Sequence, residues 1–189
     1  MANSRNMKIL LLNIGLLLST SLYSQDSEAI RQQLEEIEQQ NLELREKVMP
    51  TVKEFGFGSP QMDSLDARIL KFDSISLIAV TTILDKYGWL GKSQIGEVAN
   101  RTLFLIVQHA PNNATRKMYF PLLETSARNG ESELSAMATM KDRILVQDGE
   151  LQVYGTQSRM VNGELEPFPM KDADNINELR KQVGLKEMK

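Results

Sequence analysis

Seven side chains in this chain have types and spacings suited to chemistry. They are Gln108 and His109 near the middle, Asp142 and Arg143 further on, and Gln152, Tyr154 and Gln157 just beyond. His109 is the sole histidine, and histidine is the side chain whose unperturbed pKa lies closest to neutrality. At the end of an apolar helix the macrodipole favours its protonated form, which suits anion binding or proton donation better than base catalysis. The structural alternative is a ring that satisfies a loose helix-end carbonyl. Arg143 can hold a carboxylate or phosphate through two parallel N–H donors, and Tyr154 with Gln152 offers a ring and an amide to a sugar, a peptide or an aromatic ligand. Asp142 and Arg143 are adjacent, so on a helix they point about 100° apart and each needs its own partner. Asp142 could orient His109 or receive Arg180. A buried polar net that locks a sheet onto a bundle is the alternative to a site.

Turn chemistry sets the expected alignment of these groups. Asp148-Gly149 lies between two apolar runs, a strong short-range signal for a two-residue hairpin. In that register Leu145 faces Gln152, Ile144 faces Val153 and Arg143 faces Tyr154. Because side chains alternate between faces, Ile144, Val146, Leu151 and Val153 make an apolar face, while Arg143, Gln147, Glu150, Gln152 and Tyr154 line the other together with Leu145. The expectation is that a guanidinium and a phenol share one face, aimed toward His109.

Helices must carry the rest. Asp26 or Ser27 caps a first helix whose apolar positions Ile30, Leu34, Ile37, Leu44 and Val48 alternate spacings of four and three, with Asn41 in the remaining seam position. That stripe packs on its own domain or, on the sharper reading, pairs two chains. Pro50, Gly56, Gly58 and Pro60 mark a connection, with a short helical turn over 51–57. Asp63 or Ser64 is expected to cap a second helix closed by Gly88, and Trp89 plugs the loop that follows. Ser93 caps a third, largely buried helix ending at Gln108-His109, stopped by Pro111. Asn112 or Asn113 starts a fourth, which Pro121 should kink or divide and Gly130 ends. Ser132 caps a fifth helix running to Asp142-Arg143. Asn162-Gly163 signals another hairpin, with Met160 opposite Leu165 and Arg159 opposite Glu166; Pro167 and Pro169 forbid a central strand beyond it. A last short helix over 176–183, capped by Asp174 or Asn175, is closed by Gly184. Fold class is thus α+β, mostly α: a bundle of about five or six helices with a small antiparallel hairpin sheet before the C-terminal helix.

The first residues bound where the protein works. Arg5 and Lys8 precede the apolar run 9–18, then small polar residues up to Ser24-Gln25, the layout of a secretory signal peptide too short to span a bilayer stably. The expected organisation is a leader over 1–24, an N-terminal amphipathic helix and linker over 25–62, and a single helical domain with its hairpin insert over 63–189. Cysteine is absent, which removes a lipid anchor after the leader, disulfides, a thiol nucleophile and zinc thiolates. The expected location is periplasmic or secreted, soluble and not lipidated, with no stable membrane span after cleavage.

Loss of Arg5 and Lys8 with the leader takes the formal net charge from −3 to −5, which disfavours nucleic acid and anionic lipid as partners. One histidine and no cysteine exclude zinc hydrolysis built on several imidazoles. The glycine patterns of phosphate loops and dinucleotide folds are absent, as is the Gly-x-Ser-x-Gly nucleophile elbow. A carboxylate pair for glycoside hydrolysis stays open, since it is defined by separation in space. No metal and no cofactor is expected.

The motifs also carry a likeness. Gly96, Asn100, Gln108-His109-Ala110, Asp142-Arg143, Gln152-Val-Tyr-Gly-Thr-Gln157, Pro167, Pro169, Asp172, Asn175-Ile-Asn177, Arg180 and Gly184-Leu185 stand in an order and spacing that resembles the bacterial domain of unknown function 6624 family over roughly residues 63 to 187. The resemblance implies no known activity, substrate or cofactor. Three positions depart from the family pattern. Ser76 stands where members often have Asn, Leu179 replaces the first of two arginines, and Pro111 stands where an Asp usually follows His-Ala. An acid at that last place would orient the imidazole or bind a metal with it.

Two functions fit these residues. The first is an exported binding or interaction module for a small polar or anionic ligand or a peptide, built on Gln108, His109, Arg143, Gln152, Tyr154 and Gln157, with a homodimer through the N-terminal helix as an option. The second is a metal-independent, hydrolase-like enzyme with His109 as general acid, Tyr154 or Asp142 as its partner, and Arg143 stabilising developing negative charge.

Overall fold

The computed structural model describes residues 25–161 and 164–188. The leader expectation, residues 1–24, lies outside them. The first helix, α1, covers 25–45. Its stripe is used within the chain: Ile30 and Leu34 enter the main core with Ile37 against it, while Leu44 and Val48 pack on a second cluster of Met62, Leu65 and Ile69. A coiled-coil dimer through that seam would have to displace these contacts. Polar residues of this helix also tie it to its neighbours. Buried Glu38 pairs with Arg101, and Asn41 accepts from Arg45, whose guanidinium holds Asp73 by two bonds at 2.8 and 3.1 Å.

The expected short turn is helix α2 (Val48–Phe55), with Pro50 in its first turn, where a missing N–H costs nothing. Helix α3 (Pro60–Tyr87) starts earlier than the Asp63 or Ser64 cap predicts. Ser59 accepts from the Met62 N–H at 3.2 Å and Pro60 takes the first helical position, a pairing of cap and pre-set φ that outweighs a later acid. Gly88 ends this helix with φ 71°.

Helix α4 (Lys92–Gln108) is capped at Gly91, not Ser93. The Gln94 side chain accepts from the Gly91 N–H, while the Ser93 N–H and hydroxyl turn to Glu131. The helix is broken at Gly96, where φ 81° and ψ 165° are open essentially to glycine alone. Helix α5 (Asn113–Arg128) is capped by Asn112, whose carbonyl oxygen accepts from the Thr115 N–H at 2.9 Å. Pro121 neither divides nor ends it. Helix α6 (Leu134–Gln147) has Glu133 at its N-cap, since the Ser132 hydroxyl is bonded to Ser126 inside the protein.

The hairpin expected at Asp148-Gly149 is not formed. Residues 142–147 continue α6, Asp148 caps it with φ −85°, and Gly149 takes φ 79° just past the helix. A two-residue hairpin turn of the expected kind needs φ > 0 at both positions, whereas a helix C-terminus needs it only at the glycine. Nothing between Asp142 and Gln147 stops the helix, so the ladder already running through α6 takes the ambiguous Asp-Gly pair as its ending. The cross-strand pairs of Arg143 with Tyr154 and of Leu145 with Gln152 therefore do not exist. Gln152 instead bridges to Met170, with its N–H on the Pro169 carbonyl and its carbonyl receiving the Lys171 N–H.

The other hairpin is present. Strands β1 (Ser158–Val161) and β2 (Glu164–Pro167) pair antiparallel, with Met160 opposite Leu165 and Arg159 opposite Glu166 as the turn chemistry dictates; the turn residues 162–163 lie outside the described residues. Helix α7 (Ile176–Gln182) follows, with Gly184 at φ 72°. Among the described residues the chain is therefore mostly helical, with one small two-stranded sheet before its C-terminal helix. The main core gathers Leu34, Val80, Ile95, Leu103, Val107, Leu123 and Met140, all at zero exposure.

Candidate functional site

Asp142 and Arg143 leave the same turn of α6 in different directions, as their adjacency requires. Asp142 is fully buried and faces the segment after α6. Its carboxylate accepts from the backbone N–H of Val153 at 2.7 Å, of Tyr154 at 3.1 Å and of Thr156 at 3.0 Å, and from the Thr156 hydroxyl at 2.9 Å. A short irregular segment has no ladder to satisfy these donors, and one carboxylate takes them all. On its far side the same segment is held by Arg180, which donates to the Tyr154 and Gly155 carbonyls. Gly155, with φ 64°, lets the chain pass Met170 and Met188, whose sulfurs would lie 3.0 and 2.6 Å from an added Cβ.

Gln152 and Gln157 belong to this construction. The Gln152 amide donates to the carbonyls of Gln157 and Phe168 and its oxygen accepts the Gln157 N–H. The Gln157 amide donates to Thr139 and Thr156. Both residues are buried, and their polar atoms bind the chain to itself.

The end of α4 is held by a residue that the sequence reading passed over. Arg116 is 1% exposed, and its guanidinium donates to the carbonyls of Gln108 and Ala110, to the Gln147 side-chain oxygen at 2.6 Å and to Asn113 at 3.2 Å. These are carbonyls that a helix terminus leaves without partners. Only the position of Arg116, one turn into a helix that starts just after the previous one ends, could have hinted at this reach. The capping task that was the structural alternative for His109 is thus done by Arg116, and the His109 ring has no hydrogen-bond partner among the described residues.

His109 borders a cavity of about 350 Å³ with Leu70, Asp73, Ser74, Leu77, Ile106, Ala110 and Pro111. Burial of the ring, and next the positive charges of Arg45, Arg143 and Arg116, hold its pKa below the usual histidine range against the opposing pull of Asp73. The helix dipole, which favours the protonated form, is outweighed by burial of the ring together with the three cations. The imidazole is accordingly neutral at pH 7, not charged as the sequence suggests.

Arg143 is half-buried with no hydrogen bond and no ion pair among the described residues, and its Nε is enclosed without an acceptor. Burial lowers its pKa, and that of Arg116 is lowered first by its own burial and next by the Arg143 charge. The Gln108 side-chain oxygen is likewise enclosed without a donor. Arg143 and His109 are thus within electrostatic reach of one another, and Gln108 adjoins the histidine. Tyr154 has other company. It packs on the main core, and its pKa is raised first by burial and next by Asp142, with Arg128 and Glu124 also acting on it. None of these charges acts on His109, and neither Arg143 nor Tyr154 lines the cavity beside the imidazole.

No group of three or more His, Cys, Asp or Glu suited to a metal ion occurs among the described residues, and no described helix is long and apolar enough to cross a membrane. The fold and its clamped segment define a helix-rich α+β protein with a small hairpin. The chain belongs to the Family of unknown function (DUF6624), which matches residues 22–189. Neither a curated protein nor a solved structure matches the chain.

Proposed function

We propose that this protein is an exported binding module that holds a small anionic ligand, or the carboxylate of a peptide, at Arg143 with Gln108 and His109 beside it. The observation that carries the reading is the state of Arg143. A guanidinium taken partly out of water, unpaired and close to a second buried arginine, is disfavoured until a counter-charge arrives. An arriving carboxylate or phosphate would pair with it bidentately, and Gln108 would receive a donor from a hydroxyl or amide on the same ligand.

His109 adds a proton to the balance. An anion beside the ring raises a pKa that burial and the charges of Arg45, Arg143 and Arg116 hold down, so binding takes up a proton and tightens as pH falls toward 6. The leader-like pattern of residues 1–24 supports an exported location. The catalytic alternative pairs His109 with Tyr154, but the two respond to different charges, and a neutral imidazole is a poor general acid at pH 7.

Isothermal titration with inorganic phosphate, succinate and acetyl-dialanine tests the reading. At least one should bind saturably, more tightly at pH 6 than at pH 8, and Arg143→Gln should weaken it by about tenfold or more. Absence of binding by all three, or equal affinity in Arg143→Gln, defeats the proposal.

A further inference from the structure

A second and larger cavity lies elsewhere on the molecule and owes nothing to Arg143 or His109. Its volume is about 470 Å³, within the range of small-molecule sites. It sits where α4 resumes after the Gly96 break, against the first turns of α6, one residue of α5 and the chain after α7. Val98, Phe104, Leu123, Ala136 and Leu185 give it an apolar wall.

The polar groups around it are unevenly satisfied. The two cations at the rim are already matched: Lys92 to Glu133 at 3.3 Å, and Arg101 to buried Glu38. Two acceptors are free. Asn100, only 5% exposed, donates its amide N–H to the Leu90 carbonyl at 2.7 Å. That bond fixes the amide orientation and leaves the oxygen of this cavity-lining residue without a donor among the described residues. Glu97, exposed at the rim, likewise has neither ion pair nor hydrogen bond there. Phe104 supplies an aromatic surface, which attracts ammonium groups.

From this asymmetry we infer that the cavity binds a small organic cation with an apolar body, an aromatic or branched aliphatic amine. The body fills the space between Phe104, Leu123 and Leu185, and the ammonium is shared between Glu97 and the Asn100 oxygen. A carboxylate ligand of the same size finds no unpaired cation at this rim and meets the Glu97 charge instead. The site differs from the anion site in place and sign, with Asn100 nine residues before His109, roughly 13 Å back along α4.

The purified protein is titrated with 2-phenylethylamine, 2-phenylethanol and phenylacetate, three probes of one shape and different charge. Binding is read by the emission of Trp89, the sole tryptophan, which adjoins the residue that anchors Asn100, and by calorimetry. The amine should bind saturably and at least about tenfold more tightly than the other two. Ala136→Phe, which fills the cavity, should abolish this binding, and Glu97→Gln, an exposed change that leaves the fold alone, should erase the preference for the amine. Equal affinity for the three probes, no saturable binding of the amine, or a preference unchanged in Glu97→Gln overturns the proposal. Phosphate and succinate titrations in Glu97→Gln keep the two sites apart, because the anion site should be unaffected by this substitution.

Discussion

Replacing Asp142 by asparagine changes few atoms and should cost much stability, because the carboxylate is the only acceptor offered to several donors at once. Its Oδ1 receives Val153 N–H and Tyr154 N–H, and its Oδ2 receives Thr156 N–H, the Thr156 hydroxyl and a second approach from Tyr154 N–H. An amide in its place keeps one oxygen and turns an NH2 group toward the other donors. The Thr156 hydroxyl can rotate and accept, but the Thr156 N–H faces another N–H in a site with no exposure. Hydrogen bonds to a charged acceptor contribute about 1.5–3 kcal/mol each, and a buried unsatisfied donor costs about 1–3 kcal/mol, so the loss for Asp142→Asn is about 3 kcal/mol. In urea, with a slope of roughly 1–3 kcal/mol/M, the midpoint should fall by about 1–3 M with the slope unchanged. Trp89 emission and far-ultraviolet circular dichroism should report coincident transitions. Since Arg143 makes no hydrogen bond to this segment, Asp142→Asn should still bind the anions that wild type binds under conditions where it is folded. A loss below about 0.5 kcal/mol, the range of ordinary surface changes, would refute the claim that one carboxylate holds residues 153–156.

Other outcomes follow from the same structure. For His109 the folded pKa lies below the unfolded value of about 6.5. Between the two the unfolded chain binds more protons, so stability should fall as pH drops from about 6.5 through the folded pKa, and urea midpoints across this window should flatten in His109→Gln. Arg116→Met removes the donors to the Gln108 and Ala110 carbonyls and to Gln147, with a loss on the order of 3 kcal/mol by the same urea assay. Gly96→Ala forces a side chain into φ 81°, ψ 165°, and should lower stability by about 1–3 kcal/mol, measured by calorimetric melting; an unchanged melting temperature would contradict the break in α4.

Helix boundaries were legible in the sequence wherever a local signal had one physical meaning. Asn112 after Pro111, Gly88, Gly130 and Gly184 each act as the expected start or stop, and Met160 pairs with Leu165 in the register expected from Asn162-Gly163. The signals that misled have two meanings. Asp-Gly suits both a hairpin and a helix end, and only the state of the preceding residues decides. Ser93 and Ser132 look like caps, but their hydroxyls bond Glu131 and Ser126.

The candidate site was partly legible. That Asp142 and Arg143 must serve separate partners follows from helix geometry, and Arg180 does serve the segment that Asp142 holds, although it binds the carbonyls and not the acid. Arg116 was invisible because a guanidinium that crosses from one helix to the end of another leaves no local pattern. The charge state of His109 was misread for a related reason: the helix dipole is written in the chain, whereas the burial of the ring, and next the cations gathered around it, depend on α1, α5 and α6 coming together.

The Gln152 side chain has a consequence for tinkering with the protein. By spanning the carbonyls of Gln157 and Phe168 it staples together the two feet of the β1–β2 ribbon, and the ribbon above that staple has almost nothing tucked inside. Residues 159–166 can therefore be traded for a shorter connection, or for a fluorophore-bearing or affinity loop, while the clamp at Asp142 and both cavities keep their shape, giving a handle for immobilising the protein with its proposed sites untouched.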